Sequence, residues 1–162
     1  MFLWFAVLAV GGTFVVFRDA AIDYRLVAAG ALLPDALDGL VRRGVGPFHS
    51  LVTTVAVLAA VMLSTIGNRG VRRRILAVPI GLFAHLVLDA TWARTKVFWW
   101  PIASTRFRGR IPFLDRPAVV LVMQELIGVG VGVWLWQRFG LSDPARRQKF
   151  IRSGRLDRSV VR

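Results

Sequence analysis

Four long apolar runs, Met1 to Phe17, Ser50 to Gly67, Ile75 to about Trp92 and Pro117 to Gln137, dominate this sequence and leave few soluble folds open to it. The first holds 17 uncharged residues, about 25 Å as a helix and near the lower limit for crossing a hydrocarbon core. A chain of 162 residues that is 56% hydrophobic, with mean hydropathy +0.58, is too apolar for an ordinary soluble domain. The expectation is an all-α, polytopic membrane helix bundle of about four transmembrane helices, with a shorter re-entrant or interfacial helix over Tyr24 to Leu33. Pro34 is expected to stop that short helix, whose polar end then needs a cavity lined by protein.

Other features refine this organisation. MFLWFAV lacks the basic start and small-residue cleavage site of a signal peptide, which predicts a retained helix. The short basic turn NRGVRRR makes the second and third spans antiparallel neighbours. Gly128, Gly130 and Gly132 allow close helix contact along the fourth. Residues 1–140 form the membrane-embedded domain, and 141–162 a basic, cytoplasmic tail. Eight basic residues from Arg138 onward and four in the 69–74 turn, against ten in the 18–49 and 94–116 segments, put the tail and turn inside and those two segments outside.

The net charge of +13 does not imply nucleic acid, because the basic residues lie between apolar runs and in the tail, not on a soluble face. Membrane lipid with anionic headgroups is the expected partner. No cysteine is present, so thiol nucleophiles and zinc–thiolate sites are excluded. Carboxylates and two histidines remain as metal ligands.

Within the third span, His85 and Asp89 stand four apart in FAHLVLDA and share one helix face. Ionisable groups at membrane depth cost a few kcal/mol unless partnered, which marks them as functional candidates. LPDALDG supplies Asp35 and Asp38 before the second span, and GPFHS supplies His49 at its start. If the second span descends and the third returns, His49, His85 and Asp89 reach the same membrane face. Such oxygen and imidazole groups suit a divalent metal, zinc or manganese foremost. Asp23 is a further ligand or outer partner. The loop KVFWWPIASTRFRGRIPFLDRP sets aromatics beside Arg106, Arg108 and Arg110, which either snorkel to the interface or meet a substrate headgroup. Glu125 is intramembrane and unexplained by the cluster.

These segments resemble the YdjM-like family of inner-membrane-associated metal-dependent hydrolases. DYRLVAAGALLPDALDG is similar to its LPD segment, GPFHSLV to its histidine–serine motif, and GLFAHLVLDATWARTKVFWWPI to its His-x-x-x-Asp segment and following tryptophan–proline loop. The resemblance implies a bacterial inner-membrane location, kinship with zinc-dependent phospholipase C and nuclease-type enzymes, and phosphoester hydrolysis by metal-activated water. Carried onto matching positions, Asp35, His49, His85 and Asp89 are the ligands and catalytic residues. The chain departs from the family at Asp38 and Gly44, where histidines are common, and at Asp23, a carboxylate in place of an upstream histidine.

The expected activity is metal-dependent hydrolysis of a phosphoester on a lipid or isoprenoid-linked substrate. The alternative is a non-enzymatic scaffold or transporter-like protein whose His/Asp cluster fixes helix register. A phosphatidic-acid-phosphatase type of site is disfavoured, because no Pro-Ser-Gly-His segment is present and the sixth residue before His85 is Pro79, not arginine.

Overall fold

In a computed structural model, residues 1–42, 44–107 and 116–161 are described, and all regular structure among them is helical. The helices are α1 (Phe2–Phe17), α2 (Tyr24–Arg42), α3 (Leu51–Ser64), α4 (Arg69–Ile75), α5 (Ala77–Leu88), α6 (Thr95–Phe98), α7 (Ala118–Phe139) and α8 (Pro144–Ser153). Short 3₁₀ turns at Pro47–His49, Thr91–Ala93 and Arg158–Val160 complete the order.

Three of the helices, α1, α3 and α5, are shorter than the apolar runs that contain them, whereas α7 continues two residues past Gln137. Ser50 caps α3 by accepting the Thr53 N–H at 3.1 Å, while the run's far end, Thr65 to Gly67, leaves the helix as a turn. Similarly, α5 ends at Leu88, and Ala90 adopts a left-handed conformation. Of the described helices, α7 alone, with 22 residues, is long and apolar enough to cross a membrane; α1 and α3 are apolar but have 16 and 14.

The short re-entrant helix expected before Pro34 is instead a 19-residue helix that continues through the proline to Arg42. Pro34 removes only the N–H that would bond the Gly30 carbonyl one turn earlier, and α2 packs extensively on α5. That packing is very close. A Cβ at Gly30 would lie 2.3 Å from the Val78 carbonyl oxygen, and one at Gly81 would lie 2.2 Å from that of Val27. The two backbones therefore touch where both helices lack side chains, which sets the height of α5 against α2. On α7, Gly128 similarly admits the backbone of Leu3 and Trp4 on α1, whereas Gly130 faces nothing.

The apolar core joins Phe5, Ala9 and Phe14 of α1 to Val27 and Ala31 of α2 and to Leu135 and Phe139 of α7. The tail closes one end of it. Gly154 accepts from the Tyr24 N–H at 2.9 Å, Leu156 donates to the Ala20 carbonyl at 3.0 Å, and Arg25 Nη1 donates to the Ile151 carbonyl. Residues 141–161 are thus partly helical and docked on the α1–α2 connection.

That connection departs from the expected topology. Residues 18–23 were expected opposite the 69–74 turn, yet Arg73 Nη2 donates to Asp19 Oδ2 at 2.6 Å and Arg74 Nε to Asp23 Oδ2 at 3.2 Å. Both lie at one end of the bundle because α2 runs the full length from Tyr24 to Arg42, so that α3 starts at the opposite end and returns to the 69–74 turn beside residues 18–23.

Gly154 matters to tail docking. Its φ of +68° is costly for other residues, and a Cβ there would fall 1.6 Å from Asp23 Oδ1. Gly154→Ala is therefore expected to release α8, and limited proteolysis should cut the tail several times faster than in the unaltered protein.

Candidate metal centre

His85 occupies the last turn of α5, one turn beyond Gly81, and the close approach of α2 puts its ring against the Ala31 backbone. Its Nδ1 lies 2.7 Å from the Ala31 carbonyl oxygen, which can only accept, so Nδ1 carries the proton. In the neutral ring Nε2 then holds a lone pair. That Nε2 is buried without a hydrogen-bond partner and lies 3.7 Å from Asp35 Oδ1. Phe5 stacks on the ring at 4.2 Å between centroids and fixes its plane.

His49 arrives from the 3₁₀ turn just before α3. Asp35 and Asp38, three apart on α2, grip its two ring nitrogens from opposite sides. Asp38 Oδ2 takes the Nδ1–H at 2.7 Å and the Gly46 N–H at 3.0 Å, while Asp35 Oδ1 is 3.2 Å from Nε2. The two imidazoles meet edge to face, with centroids 5.2 Å apart.

Asp35, His49 and His85 consequently each offer one ligand atom, all within 4.8 Å of one another, close enough to hold a metal ion. The donor set fits a divalent cation on two observations. The orphaned His85 Nε2 needs a partner that is not a proton donor from the chain, and each histidine has its other nitrogen tied to an oxygen acceptor, the arrangement that orients and strengthens imidazole ligands. Two histidines and one carboxylate leave coordination positions open, as catalytic sites of zinc and ferrous iron do.

The remaining expected ligands lie elsewhere. Asp38 sits on the far side of the His49 ring and buttresses it instead of facing the centre. Asp89 is nearby, on the same face of α5, but its carboxylate is engaged by Arg116 Nη2 at 3.0 Å and the Thr91 hydroxyl at 3.3 Å, and it is outside the group of three. Asp23 precedes α2 and is separated from Asp35 by twelve residues, about 18 Å of helix. Burial acts to raise its carboxyl, but hydrogen bonds from Arg25 and Arg74 outweigh that and hold it below the ordinary carboxylate range. Asp23 anchors the tail end of the bundle. Arg106 is exposed in the loop after α6, and Arg108 and Arg110 lie outside the described residues. Glu125 meets the Met1 amino group at 3.3 Å.

Arg116 was not singled out from sequence. It donates to both the Asp89 backbone carbonyl and its carboxylate and to Gln124 Oε1, tying the start of α7 to the end of α5. Its one signal was an arginine directly before the proline that opens an apolar run.

Burial acts to lower the pKa of His49, but hydrogen bonds to Asp35 and Asp38 prevail and raise it to about 9. The sign follows: the ion pairs of protonated His49 stabilise the metal-free fold fully below about pH 6.5, and this contribution is lost as the pH rises through about 9. A metal must displace that proton from Nε2. Apparent metal affinity is therefore expected to rise about tenfold per pH unit up to about 9 and then level, with one proton released per metal, as titration calorimetry in buffers of different ionisation enthalpy can measure.

A sequence profile described as YdjM inner membrane protein matches residues 2–143, nearly the whole chain up to α8. No curated protein and no solved structure matches. With that match covering the helices that bring Asp35, His49 and His85 together, the chain belongs to the YdjM inner membrane protein family and resides in the inner membrane.

Proposed function

We propose that this protein is a membrane-embedded, metal-dependent hydrolase that cleaves a phosphoester on a lipid or isoprenoid-linked substrate. The observation that carries the reading is the convergence of Asp35, His49 Nε2 and the orphaned His85 Nε2, each histidine oriented by a second oxygen acceptor. A purely structural His/Asp cluster would satisfy its own nitrogens, and His85 does not.

In this reading α1, α2, α3 and α5 cross the bilayer beside α7. Their outward faces carry half-exposed or exposed apolar side chains, among them Val16, Val55, Phe83 and Val87, a composition that suits lipid and not water. Shortness is tolerated through local thinning of the bilayer. The basic residues of α4 and of the docked tail share the end that holds Asp19 and Asp23, so the positive-inside rule puts that end in the cytoplasm, with the metal centre toward the outer face.

Asp35, His49 and His85 would hold the ion, zinc or manganese. Such an ion supplies Lewis acidity, polarising a phosphoryl oxygen and making water acidic near neutral pH. Asp38 keeps the His49 proton on Nδ1, and the Ala31 carbonyl does the same for His85, so both Nε2 atoms stay directed inward. Asp89, held by Arg116 and Thr91, accepts the proton of the attacking water at Oδ2, whose only partner among those described is the Thr91 hydroxyl. Arg116, partly buried beside it, offers its guanidinium to the phosphate, with Arg106, Arg108 and Arg110 supplying further positive charge at the headgroup.

The test is phosphate release from a long-chain lipid phosphate by the reconstituted protein with zinc or manganese. Release abolished in Asp35→Asn and Asp89→Asn is expected. Equal release by both variants would overturn the reading in favour of a scaffold.

A further inference from the structure

At the metal-centre end of the bundle, the segment from Thr91 to Phe107 turns large apolar side chains outward instead of into the core. Trp92 is 60% exposed, Trp99 45% and Ile102 79%, and the exposed Lys96 and Arg106 belong to the same segment. We propose that this segment is a platform lying in the headgroup layer of the membrane face nearest the metal centre, where it binds anionic phospholipid and sets the centre at the depth of the lipid phosphates. The inference rests on the bundle crossing the bilayer, as read above, and not on hydrolysis.

Two contacts fix the platform to the centre. α6 packs on the 3₁₀ turn that carries His49, with Val97 buried, and the buried Thr91 hydroxyl donates to Asp89 Oδ2 at 3.3 Å. The level of the platform is therefore the level of the centre.

Two further observations select a lipid surface as its partner. Arg116 ties the start of α7 to Asp89 at that level, while at the other end of α7 Phe139 meets Tyr24, with ring centroids 5.7 Å apart. The two remaining exposed tryptophans, Trp134 and Trp136, stand near that far end, about 24 and 27 Å along the helix from Ala118. Exposed tryptophans thus form two groups separated by nearly the thickness of a hydrocarbon core, about 30 Å, and tryptophan collects at those two boundaries. Between the groups α7 exposes Val122, Leu126 and Val129. The second observation is charge. A lysine and an arginine beside indole rings suit a layer of phosphates over an apolar slab.

The chain has no cysteine, so a single introduced thiol carries a fluorescent bimane without background. Ile102→Cys reports the platform, and Leu126→Cys, about 12 Å into α7, reports the membrane interior. Each labelled full chain is reconstituted in vesicles with a nitroxide quencher on carbon 5 or carbon 12 of an acyl chain, carried by phosphatidylglycerol or by phosphatidylcholine. The Ile102→Cys label is expected to be quenched severalfold more from carbon 5 than from carbon 12, and at least twofold more by phosphatidylglycerol than by phosphatidylcholine. The Leu126→Cys label should show the reverse depth order. Adding Lys96→Glu and Arg106→Glu should abolish the preference for phosphatidylglycerol at Ile102→Cys and leave thermal melting unchanged.

Quenching of the Ile102→Cys label by iodide in the water and by neither lipid would overturn the proposal. So would stronger quenching from carbon 12, equal quenching by the two lipids in the unaltered background, or disulfide-linked pairs of chains through Ile102→Cys, which would make the platform a contact between copies. Failure of the underlying readings looks different. A Leu126→Cys label quenched from neither carbon sinks the crossing and the platform together, whereas the expected quenching without phosphate release sinks the hydrolase and leaves the platform standing.

Discussion

The His85→Ala protein is expected to purify without bound metal while remaining helical. Replacing even a residue that only orients a metal ligand costs about 10- to 100-fold in affinity. Removing one of three ligand atoms should cost more, leaving no stoichiometric metal after dialysis. The ring also stacks on Phe5 and donates to the Ala31 carbonyl, so alanine leaves a cavity worth a few kcal/mol. Asp35→Asn separates the two effects. It keeps shape and volume and removes the charge, so metal loss in both variants, with near-normal melting of metal-free Asp35→Asn above about pH 9, where the ion pair to His49 no longer contributes, assigns the loss to ligation. Metal retained by both would mean that the ion is held elsewhere.

Gly81→Val is expected to have the largest effect on stability of any single substitution on α5. Its first side-chain carbon would lie 2.2 Å from the Val27 carbonyl oxygen and 2.8 Å from the Ala31 nitrogen, both backbone atoms of α2. Neither can swing aside. The helices would have to part by an ångström or more, which breaks the bond from His85 to Ala31 and moves His85 away from Asp35 and His49. A cost of about 3 kcal/mol or more follows from overpacking of this kind, so the variant should melt many degrees lower or fail to accumulate. Gly130→Val on α7 is the control, because no atom lies within 4 Å of its position. Equal melting of the two variants would contradict the Gly30–Gly81 contact as the feature that sets the site.

Much of the centre was legible in the sequence. Polar residues in an apolar chain are costly, so Asp35, His49, His85 and Asp89 stood out, and antiparallel second and third spans were enough to bring the histidines to one face. What the sequence did not reveal was which atom each carboxylate would serve. Asp35 and Asp38 differ by less than a turn on α2, yet one faces the open nitrogen of His49 and the other its bound one. Asp89 looked like a ligand because it shares a face with His85, and its engagement by Arg116 depends on where α7 begins. Asp23 is the exception: the helix expected over Tyr24 to Leu33 already sets it about 15 Å from Asp35, too far to share an ion. Glycine placement also needed the fold. The spaced glycines of α7 drew notice, but a contact depends on what faces the gap, and the tightest ones fall at Gly30 and Gly81.

The most direct test of the central claim is elemental analysis of the detergent-purified protein beside the Asp35→Asn and His85→Ala variants. The expected result is about one zinc or manganese ion per unaltered chain and none in either variant. A metal-free protein whose thermal stability does not change on adding zinc or manganese would contradict it.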